Sequence, residues 1–205
     1  MSRSKSSNQW LKNHHEDAYV LQARKDGYRS RSVYKLIEIQ LKDQIIKPGQ
    51  FMLDLGAAPG GWSEYLSQFV SGRGLLIAVD LLPIEPIAGV EFIQGDFCEQ
   101  ETLDRILDLV DNRLLDLVLS DMAPNLSGEG SVDQPKSMYL AELAFDLARN
   151  NLSKNGHFVV KLFQGEGFEA LISAFRLAFN SVKIRKPQAS RAKSREIYAI
   201  CSGIG

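Results

Sequence analysis

The chain has 205 residues, 44% of them hydrophobic, and a formal net charge of −1 at pH 7. That size and apolar content suit one soluble domain with a full core, and no uninterrupted apolar run approaches the ~20 residues needed to cross a bilayer. The near-neutral total hides three blocks: residues 1–50 carry ten Lys/Arg against five Asp/Glu, residues 51–180 eight against nineteen, and residues 181–196 six against one. Two cationic ends around an acidic centre point to an anionic partner gripped by the ends, and nucleic acid is the natural one.

The opening stretch, MSRSKSSNQWLKNHH, has cations but no apolar h-region, so it is not read as a secretory leader. Residues 1–30 read as a partly flexible basic extension. SVYKLIEIQLK then predicts a helix near 31–43, with Val33, Leu36, Ile37 and Leu41 on its buried stripe and Lys35 aimed off it. Strands are expected at 50–55, 75–80, 90–94, 115–120 and 157–162, with short ones near 181–185 and 196–201. Helices are expected near 62–70, 101–110, 134–152 and 166–179. Near-continuous apolar strands such as LLIAVD and LLDLVLSD imply a sheet covered on both faces, hence parallel. With no repeat or interdomain linker, the pattern is one α/β/α sandwich over 1–205. Cys98 and Cys201 have neither metal-ligand nor disulfide-framework spacing and read as thiols of a reducing cytoplasm, the expected location.

The most informative segment is FMLDLGAAPGGWSEYL, residues 51–66: a strand ending in an acid, a small-residue turn, then a helix. Gly56, Gly60 and Gly61 let bare backbone approach a ligand, and the helix start offers unpaired N–H groups. The turn lacks the Lys of a GxxxxGK[ST] phosphate loop and the GxGxxG spacing of a dinucleotide fold, and it holds a proline. It is built for a ligand without pyrophosphate. DxGxxPGG after a first strand resembles the S-adenosylmethionine (SAM) loop of Rossmann-like methyltransferases.

In an open parallel sheet, ligands sit at the carboxyl ends of the strands. Asp54, Asp80, Asp96 and Asp121 all fall at or just beyond predicted strand ends, and Lys161 ends a fifth. Asp80 stands where a carboxylate accepts from ribose hydroxyls; Asp96 could accept from an adenine amine; Asp121 would face the methionine part of a cofactor and the acceptor substrate. Asp80 and Asp96 could each instead cap a helix, whereas the proline three residues after Asp121 keeps a regular helix from starting at once there. Trp62 is expected beside the loop with its N–H available. A Lys inside the apolar strand VVKLF is rarely buried without a reason, and Glu196 adjoins the last apolar run. Lys35, Asp121, Lys161 and Glu196 thus make two cations and two anions that one fold could gather.

From about residue 10 to 200 the chain resembles the FtsJ/RrmJ-type ribosomal RNA large-subunit methyltransferases, which move methyl from SAM to a ribose 2′-hydroxyl. The matching motifs are RSRSVYKLIEIQ, DLGAAPGGWSEYL, DLLP, GDF, SDMAPNLSG, VVKLFQGEGF and RKPQASRAKSREIY. The resemblance implies a Rossmann-like methyltransferase fold, a mostly parallel seven-stranded sheet whose last strand is antiparallel. It implies a Lys35–Asp121–Lys161–Glu196 catalytic tetrad and cofactor contacts from Gly56, Gly60, Trp62, Asp80, Asp96 and Asp121. Since the sulfonium of SAM is itself the leaving group, no metal is expected. Whether Lys161 serves as base or stabilises a developing alkoxide stays open. Arg24, Lys25, Arg29 and Arg31 with Lys186, Arg191, Lys193 and Arg195 are expected to grip RNA phosphates, and Tyr28 and Tyr34 to stack on bases.

The expected substrate is a uridine of 23S ribosomal RNA in the assembled large subunit, acted on by a monomer that has no membrane partner. Alternatives are 2′-O-methylation of another RNA (transfer RNA or a cap) and a non-catalytic assembly factor on the same fold. A nicotinamide-dependent oxidoreductase is disfavoured by the missing GxGxxG.

Overall fold

The computed structural model describes residues 17–124, 127, 129–191 and 194–205. Two helices precede the sheet: α1 (Ala18–Asp26) and α2 (Val33–Asp43). Asp17 caps α1 by accepting from Tyr19 N at 3.0 Å, and Gly27 ends it in the left-handed conformation at φ 81°. The sequence reading expected a flexible extension here; its first 16 residues lie outside those described.

The alternating part follows as β1 (Phe51–Leu55), α3 (Gly61–Ser67), β2 (Leu75–Asp80), β3 (Glu91–Gln94), α4 (Gln100–Val110) and β4 (Leu115–Ser120). Then come α5 (Gly130–Asn151), β5 (Leu152–Phe163), α6 (Phe168–Ala178), β6 (Phe179–Arg185) and β7 (Glu196–Ile204). The strands form one sheet in the order β3-β2-β1-β4-β5-β7-β6. The run from β3 to β5 is parallel, and β7 lies antiparallel between β5 and β6. The strand order turns between β1 and β4, which puts the ligand crevice of such a sheet there.

Alternation along the strands fills both faces. Leu53, Leu55, Val118, Phe158 and Val160 point to one side, under α4, α5 and α6. Met52, Leu117, Leu119, Val159 and Tyr198 point to the other, under Leu36 and Ile39 of α2 and Trp62 and Leu66 of α3. The doubly covered parallel sheet expected from the apolar strands is what forms.

Boundaries differ where burial outweighs local pattern. β5 begins at Leu152 and not near 157, because its edge pairs Leu152 with Leu115 across a bulge before the regular register starts. On α2 the buried stripe is Val33, Leu36 and Ile39, while Leu41 is 75% exposed. Two neighbouring stripes of one helix are both apolar at helical spacing; docking on the sheet selects one.

The face beneath α5 and α6 turns on Phe158, whose ring meets Phe145, Phe175 and Phe179 at centroid distances of 6.3, 5.7 and 6.2 Å. Phe158→Ala should cost about 3–5 kcal/mol of stability. Urea unfolding of the variant beside the parent checks this.

Candidate active site

The carboxyl ends of β1, β2 and β4 enclose a cavity of about 360 Å³, within the usual range for small-molecule sites. At its floor Gly56 has φ 79°, and a β-carbon there would lie 2.8 Å from Met122 N, so only glycine allows the two loops to meet. Asp80 closes β2 with its carboxylate fixed by two backbone donors, Ala58 N at 2.9 Å and Leu82 N at 2.8 Å. A carboxylate has lone pairs beyond those two. Leu81, Phe97 and Met122 supply apolar wall. Of the described residues lining the cavity, three are aspartates (Asp80, Asp96 and Asp121) and none is basic. Such a lining suits a neutral or cationic ligand with hydroxyls and an aromatic base, and opposes a pyrophosphate. SAM fits that description.

Gly60 and Trp62 are not among the lining residues. Trp62 is buried on the α2 side, donates its indole N–H to the Ser32 carbonyl at 2.9 Å, and packs against the Tyr198 ring. The sequence reading expected this N–H beside the loop and available to a ligand; in the fold it is spent on tying α3 to the turn before α2.

Beside the cavity the four tetrad residues converge. Lys161 lies on β5 facing α2, 7% exposed, with Nζ 3.0 Å from Asp121 Oδ1. It also donates to the Asp121 main-chain carbonyl. Lys35, from the first turn of α2, places Nζ 2.7 Å from Glu196 Oε1. The two ion pairs are joined by Tyr198, fully buried, whose hydroxyl donates to Asp121 Oδ1 at 2.6 Å and accepts from Lys35 Nζ at 3.2 Å. The result is a continuous chain, Lys161–Asp121–Tyr198–Lys35–Glu196.

Sequence reasoning passed over Tyr198, though two clues point to it. It lies two residues after Glu196, so both share one face of β7. Its register partner across the antiparallel pair is Lys161.

Burial alone would raise the Asp121 carboxyl, but Lys161, Lys35 and the Tyr198 hydroxyl together hold it below the ordinary carboxylate value. Burial, with Asp121 and Glu196 adding to it, lifts the Tyr198 phenol well above its usual value, so it stays a donor. Under the glycine turn, Asp54 is wholly buried on the α2/α3 side. Ser63 Oγ donates to its Oδ2 at 2.6 Å, and its Oδ1 has no hydrogen-bond partner among the described residues. Burial pushes this carboxyl up to about 7, against the pull of Ser63 and with Asp121 and Asp80 pushing further.

A family model described as FtsJ-like methyltransferase matches residues 28–204. The chain belongs to the FtsJ-like methyltransferase family. Among curated relatives, the ribosomal RNA large subunit methyltransferase E of Hahella chejuensis is 57% identical over 203 residues, covering 99% of this chain and 98% of its own. The protein of the same name from Marinobacter nauticus is 53% identical over 203 residues, with the same coverage. Among solved structures, a ribosomal RNA methyltransferase from Plasmodium falciparum superimposes with a TM-score of 0.77 at 27% identity, covering 86% of this chain and 98% of that one. A Streptococcus mutans methyltransferase in complex with SAH shares the fold at a TM-score of 0.52 and 10% identity, over 84% of this chain and 95% of that one. The sheet order, with its antiparallel β7, is thus the Rossmann-like methyltransferase fold that the motifs implied.

On this FtsJ-like frame the expected RNA-gripping cations divide. Arg24 and Lys25 stand exposed on the last turn of α1. Arg191 and Arg195 are exposed beyond β6, and Lys186, also exposed, donates to the Ser194 carbonyl at 2.8 Å. Lys193 lies outside the described residues. Arg29 is engaged elsewhere, donating to the carbonyls of Glu85 at 2.6 Å and Pro86 at 3.1 Å and facing Glu64. Arg31 is divided between Asp17 and the Ala189 carbonyl. Tyr34 bonds Asp26 at 2.6 Å, and its ring sits against Tyr19 and Tyr28, so these two expected base-stacking rings pack partly on each other.

Two pH effects follow from these environments. The folded Asp54 carboxyl titrates near 7 and the unfolded one near 3.8, so folding holds a proton in that window and stability falls as pH rises through it. Asp54→Asn should flatten this slope between pH 4 and 7, read from denaturant midpoints across pH. Tyr198→Phe removes one of the groups that keep Asp121 low, so the acid limb of the pH–rate profile should move to higher pH and turnover should drop.

Proposed function

We propose that the chain transfers a methyl group from SAM to the ribose 2′-hydroxyl of a uridine in 23S ribosomal RNA, presented on the large ribosomal subunit. The observation that carries this reading is the joined pair of ion pairs, Lys161–Asp121 and Lys35–Glu196, set at the wall of an acidic, partly apolar cavity. The names of the Hahella and Marinobacter relatives support ribosomal RNA as the substrate.

Gly56 would let the donor's amino-acid end approach the β1 turn, Asp80 would accept from its ribose hydroxyls, and Asp96 would face its base. When bound, SAM supplies a methyl on a sulfonium, whose carbon–sulfur bonding pair stays on sulfur as the ribose oxygen bonds the carbon. The work left to the protein is to aim that oxygen and take up its proton. Alignment of this kind supplies roughly 7–11 kcal/mol in favourable cases.

Lys161 is aimed for the first task. Its Nζ already donates to two oxygens of Asp121, and a remaining hydrogen can hold the incoming hydroxyl and offset charge on its oxygen. This pairing favours the charge-stabilising role over that of base. The hydroxyl becomes strongly acidic once its oxygen bonds carbon, so even a carboxylate held below the ordinary range, Asp121, suffices to receive the proton. Tyr198 keeps Asp121 turned toward Lys161, and Lys35 with Glu196 holds Tyr198.

Lys161→Ala should abolish methyl transfer while SAM binding, measured by calorimetry, persists. Turnover at the parent's rate would refute the assignment. The substrate is tested by mapping ribose methylation in RNA from cells with and without the gene: a single uridine of 23S RNA should lose its methyl, whereas a change confined to transfer RNA would refute the substrate.

A further inference from the structure

Glu196 is held by a line of contacts that begins ahead of α2. The Arg31 side chain is only 15% exposed, and its guanidinium is shared between Asp17 Oδ2 and the Ala189 main-chain carbonyl. The same loop is gripped from α2 by Glu38, whose carboxylate oxygens accept from Gln188 N at 2.7 Å and Ala189 N at 2.9 Å. The next residue, Ser190, is buried and donates Oγ to Glu196 Oε1 at 2.8 Å. That oxygen is the one Lys35 Nζ meets at 2.7 Å. A guanidinium whose two ends are spent on protein acceptors has little left for a phosphate. Burial works against its charge, as does Arg191, and Glu196 is near enough to favour it.

We infer that Arg31 is a positioning residue for methyl transfer: through Ala189 and Ser190 it fixes the carboxylate of Glu196, and with it the amine of Lys35, in place of gripping RNA. The inference rests on the activity proposed above. It separates Arg31 from the exposed cations Arg24, Lys25 and Arg191, whose charges face solvent. Arginine is required because one planar fork serves two acceptors in different directions; a lysine amine on a flexible stem cannot span both with the same geometry.

The test compares Arg31→Lys, Ser190→Ala and the double variant with the parent, using SAM and large ribosomal subunits. Each single change should lower kcat about ten- to a hundredfold, since small misplacements away from the chemistry have effects of that order. KM for the RNA should stay within about twofold, as expected when only the transition-state arrangement is lost. The slope of log affinity for RNA against log salt should not change. The double variant should fall no further than its weaker parent, because both changes cut one linkage. An intact kcat in Arg31→Lys, together with a raised KM and a salt slope smaller by about one in the charge-removing variant Arg31→Gln, would make Arg31 a phosphate contact and overturn the inference.

A second readout does not need turnover. The 15N signal of the Lys35 ammonium should shift in both single variants while that of Lys161 holds; an unmoved Lys35 signal overturns the inference whatever the activity. Absence of transfer by the parent protein would instead refute the proposed reaction, and the Lys35 signal would still decide the role of Arg31.

Discussion

An amine carried on the inner face of a central strand must meet an acid, because a lone charge buried there would cost several kcal/mol. Lys161 is such an amine, and much of the architecture follows from answering it. Asp121 has to stand just past β4, the neighbour of β5, to reach it. Asp121 in turn needs a donor on its far side, and Tyr198 of β7, the other neighbour of β5, provides one. Lys35 and Glu196 then satisfy the phenol oxygen and each other. Removing either member of the central pair would strand its partner, so the proposed catalytic arrangement and the integrity of this part of the core are the same set of bonds.

The cavity beside this chain shows the converse economy. Two of its three acids are fixed by backbone donors instead of cations: Asp80 by Ala58 N and Leu82 N, Asp96 by Cys98 N at 2.9 Å. Carboxylates held this way keep lone pairs and negative potential for a ligand. The cavity's acids come from the middle block, rich in Asp and Glu, while exposed cations stand on α1 and in the segment after β6, so the two signs of charge are kept apart in the fold.

Much of this was legible in the sequence, for a physical reason. The strand–turn–helix of residues 51–66 is local, and strand-end acids follow from the regular geometry of a parallel sheet. What local pattern could not carry was pairing across the fold. Tyr198 reads as one more apolar-face residue of EIYAIC until β7 is set antiparallel to β5 and its hydroxyl meets Asp121. Arg29 and Arg31 read as surface charge because composition records a cation and not what it touches; in the fold one clamps the Glu85–Pro86 loop and the other the loop at Ala189. The same holds for Arg185, within RKPQASRAKSR, which with Lys183 is spent on the buried carboxylate of Asp43. Helix α1 escaped notice because its flanks look like a flexible tail and its cap, Asp17, is a single residue.

The reversed course of β7 has a practical corollary. The strand starts at Glu196, in the linked set of contacts with Lys35, Tyr198, Asp121 and Lys161, and runs nine residues to Ile204, so it ends roughly 25–30 Å away at the opposite rim of the sheet. A fluorophore or surface tether attached there sits well clear of the Lys161–Asp121 pair and of the cavity beside it. That makes the rim at Ile204 the natural handle for single-molecule or immobilised measurements.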